Sequence, residues 1–375
     1  MAFSGINGLK GSKARYKMIA DCLRRRIIAG DLRPGDRLPI WDDLEQEFGV
    51  SRATLSRALQ ILRDDGFLRV RGRLGTFVAE RLPSDFRYAV VFSPDYFRGF
   101  VSQYVRAVDE AIHQLHRVRS LEFVHYDLKA NGQNQPRFRE LLQDTQARRI
   151  GGAIFWGYTG GPLPRITAEL GLPLVLVAGA GPGEGPGTES PYPRVRLHWP
   201  SFRHRAAAWF RERNIDRVAV IGCGMDRADS CRAVLAEHGL SADPVLSIGV
   251  GRTIEAAGRI ARLLMRLPAH ERPRGLLIAD DNVVEPVATA LMEEGVRVPE
   301  ELAVLAYTSW PVPVPVRLRV ERLGFDACEL VSGAVTLLEQ QRAGSEEASP
   351  QDMTVEARFE EEILSAVPPD GISAR

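Results

Sequence analysis

From residue 88 onward the chain alternates short apolar runs with amphipathic stretches, and that alternation narrows the possible folds more than any other feature. Strand-like runs cover residues 88–92, 121–126, 152–156, 172–177, 217–221, 275–279 and 302–306. Helical spacing covers 99–115, 137–146, 200–213, 228–238, 253–267 and 283–294. Strands and helices in alternation predict parallel sheets flanked by helices. Roughly 280 residues carry two such series, which predicts two doubly wound subdomains. Ligands in such sheets sit at the carboxyl ends of the strands.

The residues before this region follow a different pattern. Ile19, Leu23, Ile27 and Ile28 form one apolar stripe of a helix over 16–28, with Arg24, Arg25 and Arg26 between them. Pro34 and Gly35 turn the chain. A second helix over 40–48 buries Leu44 and Phe48. Ser51 is a suitable N-cap for a third, Arg52–Asp64, whose apolar face is Leu55, Ala58, Leu59 and Leu62. Its first turns offer Arg52, Ala53, Thr54, Ser56 and Arg57 to a partner, as a helix entering a DNA major groove must. Two short strands around Gly72 and Gly75 then make a hairpin with Arg71 and Arg73 at its tip, suited to a phosphate backbone or a minor groove.

Charge follows the same division. The net charge is +1, yet residues 1–82 hold 16 Lys and Arg against 10 Asp and Glu, and the remainder holds 33 against 38. A basic head on an acidic body suits a polyanion-binding module joined to one that binds no polyanion. We place the boundary at the short linker Arg81-Leu82-Pro83-Ser84, giving domains 1–82 and 83–375.

The run Gly30-Asp31-Leu32-Arg33-Pro34-Gly35-Asp36-Arg37-Leu38-Pro39, then Phe48-Gly49-Val50-Ser51-Arg52-Ala53-Thr54-Leu55, Asp65-Gly66-Phe67-Leu68 and Gly75-Thr76-Phe77-Val78 resembles the GntR family of bacterial repressors. The resemblance implies a winged helix-turn-helix and double-stranded operator DNA as partner. It implies DNA contacts from Lys17, Ser51, Arg52, Ala53, Thr54, Ser56, Arg57, Arg71, Gly72, Arg73, Gly75 and Thr76. Trp41-Asp42-Asp43 stands where the family has an acidic-Arg-acidic run, and Ser56 where it has a second Arg, so a different operator sequence is expected.

The body resembles the LacI/GalR regulatory domain, itself similar to periplasmic sugar-binding proteins. The match is carried by Arg217-Val218-Ala219-Val220-Ile221-Gly222 and by Ala279-Asp280-Asp281 through Gly295-Val296-Arg297-Val298-Pro299-Glu300-Glu301-Leu302-Ala303-Val304. It implies a sugar-like small-molecule effector held by Asp95, Tyr96, Phe97, His198, Trp199, Arg227, Asp281, Thr308 and Trp310. His198 replaces an acid, and Thr308 and Ser309 replace an acidic pair, which leaves the ligand open. The resemblance also implies a homodimer. Packing is the alternative reading for the aromatics, an ion pair for Arg227 and helix capping for Asp281.

Other functions are set aside on chemistry. Some GntR-headed proteins carry a pyridoxal phosphate enzyme, which needs a Schiff-base lysine, and the body has only Lys129. The loop 179–187 is rich in glycine but lacks the Gly-Lys-Ser/Thr ending of a phosphate loop. The four cysteines and seven histidines show no metal spacing. No cofactor and no enzyme activity are therefore expected. No apolar run reaches the ~18 residues of a membrane span and the first residues lack a secretory pattern, so a cytoplasmic setting is expected. The expectation is an α/β chain: a winged helix-turn-helix plus a two-subdomain, doubly wound, periplasmic-binding-protein-like domain, acting as an effector-gated repressor. A regulator whose body only dimerises is the alternative.

Overall fold

The computed structural model describes residues 12–93, 102–126, 136–157, 162–178, 190–241, 243–251, 253–343 and 352–366. They form two compact units. One comprises Met1–Val91, Ser120–Ile154 and Gly161–Leu174; the other comprises Phe92–Arg119, Phe155–Gly160 and Val175–Arg375.

The head opens the first unit. It contains α1 (Ser12–Ile28), α2 (Trp41–Phe48), α3 (Arg52–Asp64), β1 (Leu68–Val70) and β2 (Thr76–Val78). The third helix has the expected bounds and buries Leu55, Ala58, Leu59 and Leu62 against Ile19, Leu23, Leu44 and Phe48. Phe67 and Val78 close this core from the hairpin side. β1 and β2 pair antiparallel, with Arg69 opposite Phe77. Leu38 N–H donates to the Thr76 carbonyl at 2.9 Å and Val78 N–H to the Asp36 carbonyl at 2.8 Å, so the turn after α1 backs the wing.

The body follows as β3 (Arg87–Phe92), α4 (Gln103–Arg119), β4 (Glu122–His125), α5 (Pro136–Gln146), β5 (Ala153–Trp156), α6 (Pro162–Glu169), β6 (Leu174–Ala178) and β7 (Arg194–Leu197). It continues with α7 (Trp199–Glu212), β8 (Val218–Gly222), α8 (Met225–Glu237), β9 (Ser247–Gly249), α9 (Glu255–Met265), β10 (Gly275–Ile278) and α10 (Val284–Glu293). The last elements are β11 (Ala303–Trp310), β12 (Glu321–Asp326), α11 (Ala327–Arg342), β13 (Met353–Val355), β14 (Arg358–Phe359) and α12 (Glu360–Ala366).

Among the described residues, the strands of the body make two six-stranded sheets, ordered β13-β7-β6-β5-β3-β4 and β14-β12-β11-β10-β8-β9. In the second sheet β9, β8, β10, β11 and β12 run parallel, and only β14 is antiparallel to its neighbour. β8, β10 and β11 are buried along their whole length, as parallel strands covered on both faces must be. Ala257, Ala261, Val284, Val287 and Leu291 from α9 and α10 pack on that sheet. Two expectations change. The strand expected over 302–306 runs from Ala303 to Trp310, which puts Thr308, Ser309 and Trp310 inside the sheet. Strands β7, β9, β12, β13 and β14 and helices α6, α11 and α12 join those expected from the sequence.

Candidate functional site

Two groups of residues carry chemistry. The first is the exposed face of the head. Gly49 ends α2 in a left-handed conformation (φ 62°, ψ 39°), and Val50 and Ser51 lead into α3. Ser51 is at the N-cap with extended backbone, but its hydroxyl lies 3.2 Å from Thr54 Oγ1 and caps no backbone N–H. Arg52, Ala53 and Arg57 are exposed, and Thr54 and Ser56 are half-buried. The Arg52 guanidinium lies 5.3 Å from the centre of the Trp41 ring and 3.9 Å from Glu45. Trp41 thus acts as a shelf for Arg52, a role that reading the sequence missed. Lys17 is exposed on α1.

At the wing, Arg71 crosses the Phe77 ring at 5.0 Å and pairs with Glu80 at 2.5 Å. Gly72 begins a helical turn to Leu74 at the tip, where Arg73 is exposed. Gly75 adopts φ +114°, and a Cβ there would lie 3.0 Å from Arg37 Nε. Only glycine fits both demands without strain. Thr76 is half-buried and accepts the Leu38 bond through its carbonyl. The structure therefore brings the predicted DNA residues onto the first turns of α3 and onto the wing, with Lys17 on α1.

The second group lies at the carboxyl ends of β10 and β11. Asp280 and Asp281 follow β10 and are 7% and 3% exposed. Ser309, in β11, donates its hydroxyl to Asp281 Oδ2 at 2.6 Å. Arg227, on α8, donates to Asp280 Oδ2 at 3.1 Å and to the Ala279 carbonyl at 3.3 Å. Its guanidinium lies 4.5 Å from the centre of the Trp199 ring. Trp199 in turn meets Tyr307 at 5.2 Å and Phe325 at 5.1 Å. The Trp199 indole N–H is buried and has no hydrogen-bond partner.

Electrostatics distinguish the two acids. Burial pushes the Asp281 carboxyl well above the usual carboxylate range, and the Asp280 charge adds to this; the Ser309 bond and Arg227 pull the other way. Burial also raises the Tyr307 phenol, with the Asp281 charge next. The Cys223 thiol is pushed up to about 12 by burial and by Asp280. The capping role lies one residue before the position considered for it: Asp280 accepts the Asn282 N–H at 3.0 Å and its side-chain amide at 2.7 Å. Asn282 Oδ1 accepts from the Gln103 N–H at 3.0 Å. Asp281 Oδ2 accepts from Ser309. Such a group can donate to or accept from a polar ligand according to its protonation.

The remaining candidates are placed as follows. Thr308 is buried beside Ser309. Trp310 is 4% exposed with its indole N–H unpartnered. His198 precedes α7 and its Nδ1 lies 2.8 Å from Glu356. Trp199, Arg227, Asp280, Asp281 and Ser309 come together, whereas Trp310 is sealed in the strand. Asp95, Tyr96 and Phe97 lie outside the described residues. Asp280, Ser309 and Tyr307 belong to this cluster although the sequence reading did not select them. The Asp280-Asp281 pair was the available signal.

Residues 15–78 match the bacterial regulatory proteins of the gntR family, and residues 207–358 match the periplasmic binding protein-like domain. The mannosyl-D-glycerate transport/metabolism system repressor MngR of Escherichia coli K12 is 44% identical over 70 residues, 19% of this chain and 29% of that protein. The histidine utilization repressor of Klebsiella aerogenes is 44% identical over 66 residues, 17% of this chain and 27% of that protein. The chain thus spans under a third of these curated relatives. Among solved structures, a LacI-family regulatory protein from Chloroflexus aggregans aligns with TM-score 0.57 and 13% identity, covering 74% of this chain and 97% of that one. The transcriptional regulator CelR in complex with cellobiose aligns with TM-score 0.54 and 19% identity, covering 84% and 92%. A GntR-type DNA-binding domain at residues 15–78 is therefore joined in this chain to a periplasmic-binding-protein-like domain with the fold of LacI-family regulators.

Proposed function

We propose that the chain is a transcriptional regulator, a repressor, whose affinity for operator DNA changes when a small hydroxyl-bearing molecule binds at the carboxyl ends of β10 and β11. The observation that carries this is the Arg227–Asp280–Asp281–Ser309 cluster beside the Trp199 ring, in a chain whose head matches DNA-binding regulators. A guanidinium and a carboxylate are natural partners for vicinal hydroxyls, and an aromatic face suits the apolar side of a sugar ring. CelR, of similar fold, is known in complex with cellobiose.

In this reading residues 1–82 bind DNA and 83–375 sense the effector and dimerise. A two-fold dimer presents two heads to a two-fold operator. The protein acts in the cytoplasm and is not an enzyme; no helix among the described residues is long and apolar enough to cross a membrane. Effector and operator affinities are then reciprocally linked. The test begins with footprinting on DNA upstream of its own gene, then a thermal-shift screen of sugars and sugar acids. A hit must change operator affinity at fixed salt, and R227M must abolish the thermal shift. Tight binding without any effect on operator affinity defeats the coupling. No shift with any compound favours a body that only dimerises.

A further inference from the structure

Asp65 is the C-cap residue of α3, and its side chain is 13% exposed between two guanidinium groups. Arg24 of α1 donates to Asp65 Oδ2 at 2.5 Å; its side chain is 7% exposed and lies 5.5 Å from the centre of the Phe67 ring. Arg149 donates to Asp65 Oδ1 at 3.0 Å. Arg149 is no part of the head: it lies in the body, between α5 and β5. Its Nε donates to Asp144 Oδ1 at 2.7 Å, and its backbone N–H donates to the Asp144 carbonyl at 2.9 Å. The buried Tyr126 hydroxyl donates to the other oxygen of Asp144. Burial works against the Arg149 charge, but Asp65 and Asp144 outweigh it and hold the guanidinium above its ordinary pKa. A second tie is close by, where Arg81 Nη1 donates to the Ser120 carbonyl at 3.2 Å.

Charged groups in a partly buried network are costly to hold unless each is paired. Here the pairing crosses from head to body: one Asp65 oxygen serves the helix bundle of the head and the other serves the α5–β5 turn. We propose that Asp65 is a positioning residue for DNA recognition, which fixes the carboxyl end of the recognition helix to the body through Arg149. The direction of α3 is then set by the body and not by the linker peptide alone. This rests on the reading of α3 as the recognition helix. In a dimer it makes the distance between the two recognition helices, and so the spacing of the operator half-sites, a property of the body.

The test uses the full-length chain and R149M, which keeps the Arg24–Asp65 pair and spares the head core; D65N is a second variant. Each is used to select binding sites from a pool of random duplexes, and amide hydrogen exchange is followed over residues 62–70 and 144–152. The wild type is expected to select paired half-sites at one spacing. R149M is expected to select the same half-site at relaxed spacing and to exchange about five- to tenfold faster in both segments. A residue that only stabilised the fold would lower the yield of all sites without changing their spacing. An unchanged spacing distribution in R149M and D65N overturns the proposal, as does unchanged exchange. If the wild type selects no half-site, the DNA-binding reading itself fails.

Discussion

The salt dependence of DNA binding tests the head quantitatively. Five cations face out from the predicted interface: Lys17, Arg52, Arg57, Arg71 and Arg73. They are not equally available. Arg71 is paired with Glu80 at 2.5 Å and Arg52 lies 3.9 Å from Glu45. Lys17, Arg57 and Arg73 are exposed and remain for phosphates. Each phosphate neutralised adds about 0.9 to the slope of log affinity against log salt, so three contacts give a slope of about −2.7. A fourfold rise in salt, from about 50 to about 200 mM, then weakens binding about 40-fold. R73A leaves two contacts, a slope of about −1.8 and a loss of only about 12-fold. E80Q frees Arg71 and steepens the slope toward about −3.6. The assay is fluorescence anisotropy on a random duplex of roughly one helical turn, so that a single head is measured without knowledge of the operator. R165A on α6, whose side chain is 72% exposed, is the control and leaves the slope unchanged. Equal slopes for the wild type and R73A, or an equal fall in R165A, refute the assignment.

Three further outcomes are expected. Folded Asp281 keeps its proton at pH values where the unfolded chain has released it, so its contribution falls as pH rises from the unfolded carboxylate range toward the folded one. D281N removes that fall, at about 1.4 kcal/mol for each pH unit of separation, read by denaturant unfolding of both proteins between about pH 4 and about pH 8. W199L loses ring contacts with Phe202, Tyr307 and Phe325 at 5.7, 5.2 and 5.1 Å. At about 0.5–1.5 kcal/mol per aromatic pair it costs about 2–4 kcal/mol of stability, measured by the same unfolding assay. G75A forces a side chain into φ +114° beside Arg37 and costs about 1–3 kcal/mol, and thermal unfolding with wing hydrogen exchange reads it.

The head was legible almost residue by residue, because each of its elements is set locally. Leu55, Ala58, Leu59 and Leu62 lie at helical spacing, and the glycines at 49 and 75 mark the turns. The central strands of the body were legible because continuous apolar runs such as Val218–Gly222 are buried on both faces. The edge strands were not. Arg194–Leu197 alternates basic and apolar residues, and Arg358–Phe359 is two residues long. What makes them strands is a neighbour distant in sequence, which no local pattern reveals. The same limit applies to the polar cluster at the ends of β10 and β11. Asp281 and Arg227 were selected by position, but the Ser309 hydroxyl and the Asp280 bridge depend on how β10 and β11 pair. Helix capping by Asp280 rather than Asp281 is a matter of one residue of register.

The carboxyl-terminal strands have a consequence for how the chain tolerates damage. β13 pairs with β7 in one sheet and, three residues later, β14 pairs with β12 in the other. Each is the outermost strand of its sheet. A premature stop ahead of Met353 would therefore strip both sheets of their margins at once and bare the backbone donors and acceptors of β7 and β12. Unpaired edges of this kind template pairing with other chains. The fate of such a truncated polypeptide is aggregation, rather than a folded chain that is merely shorter.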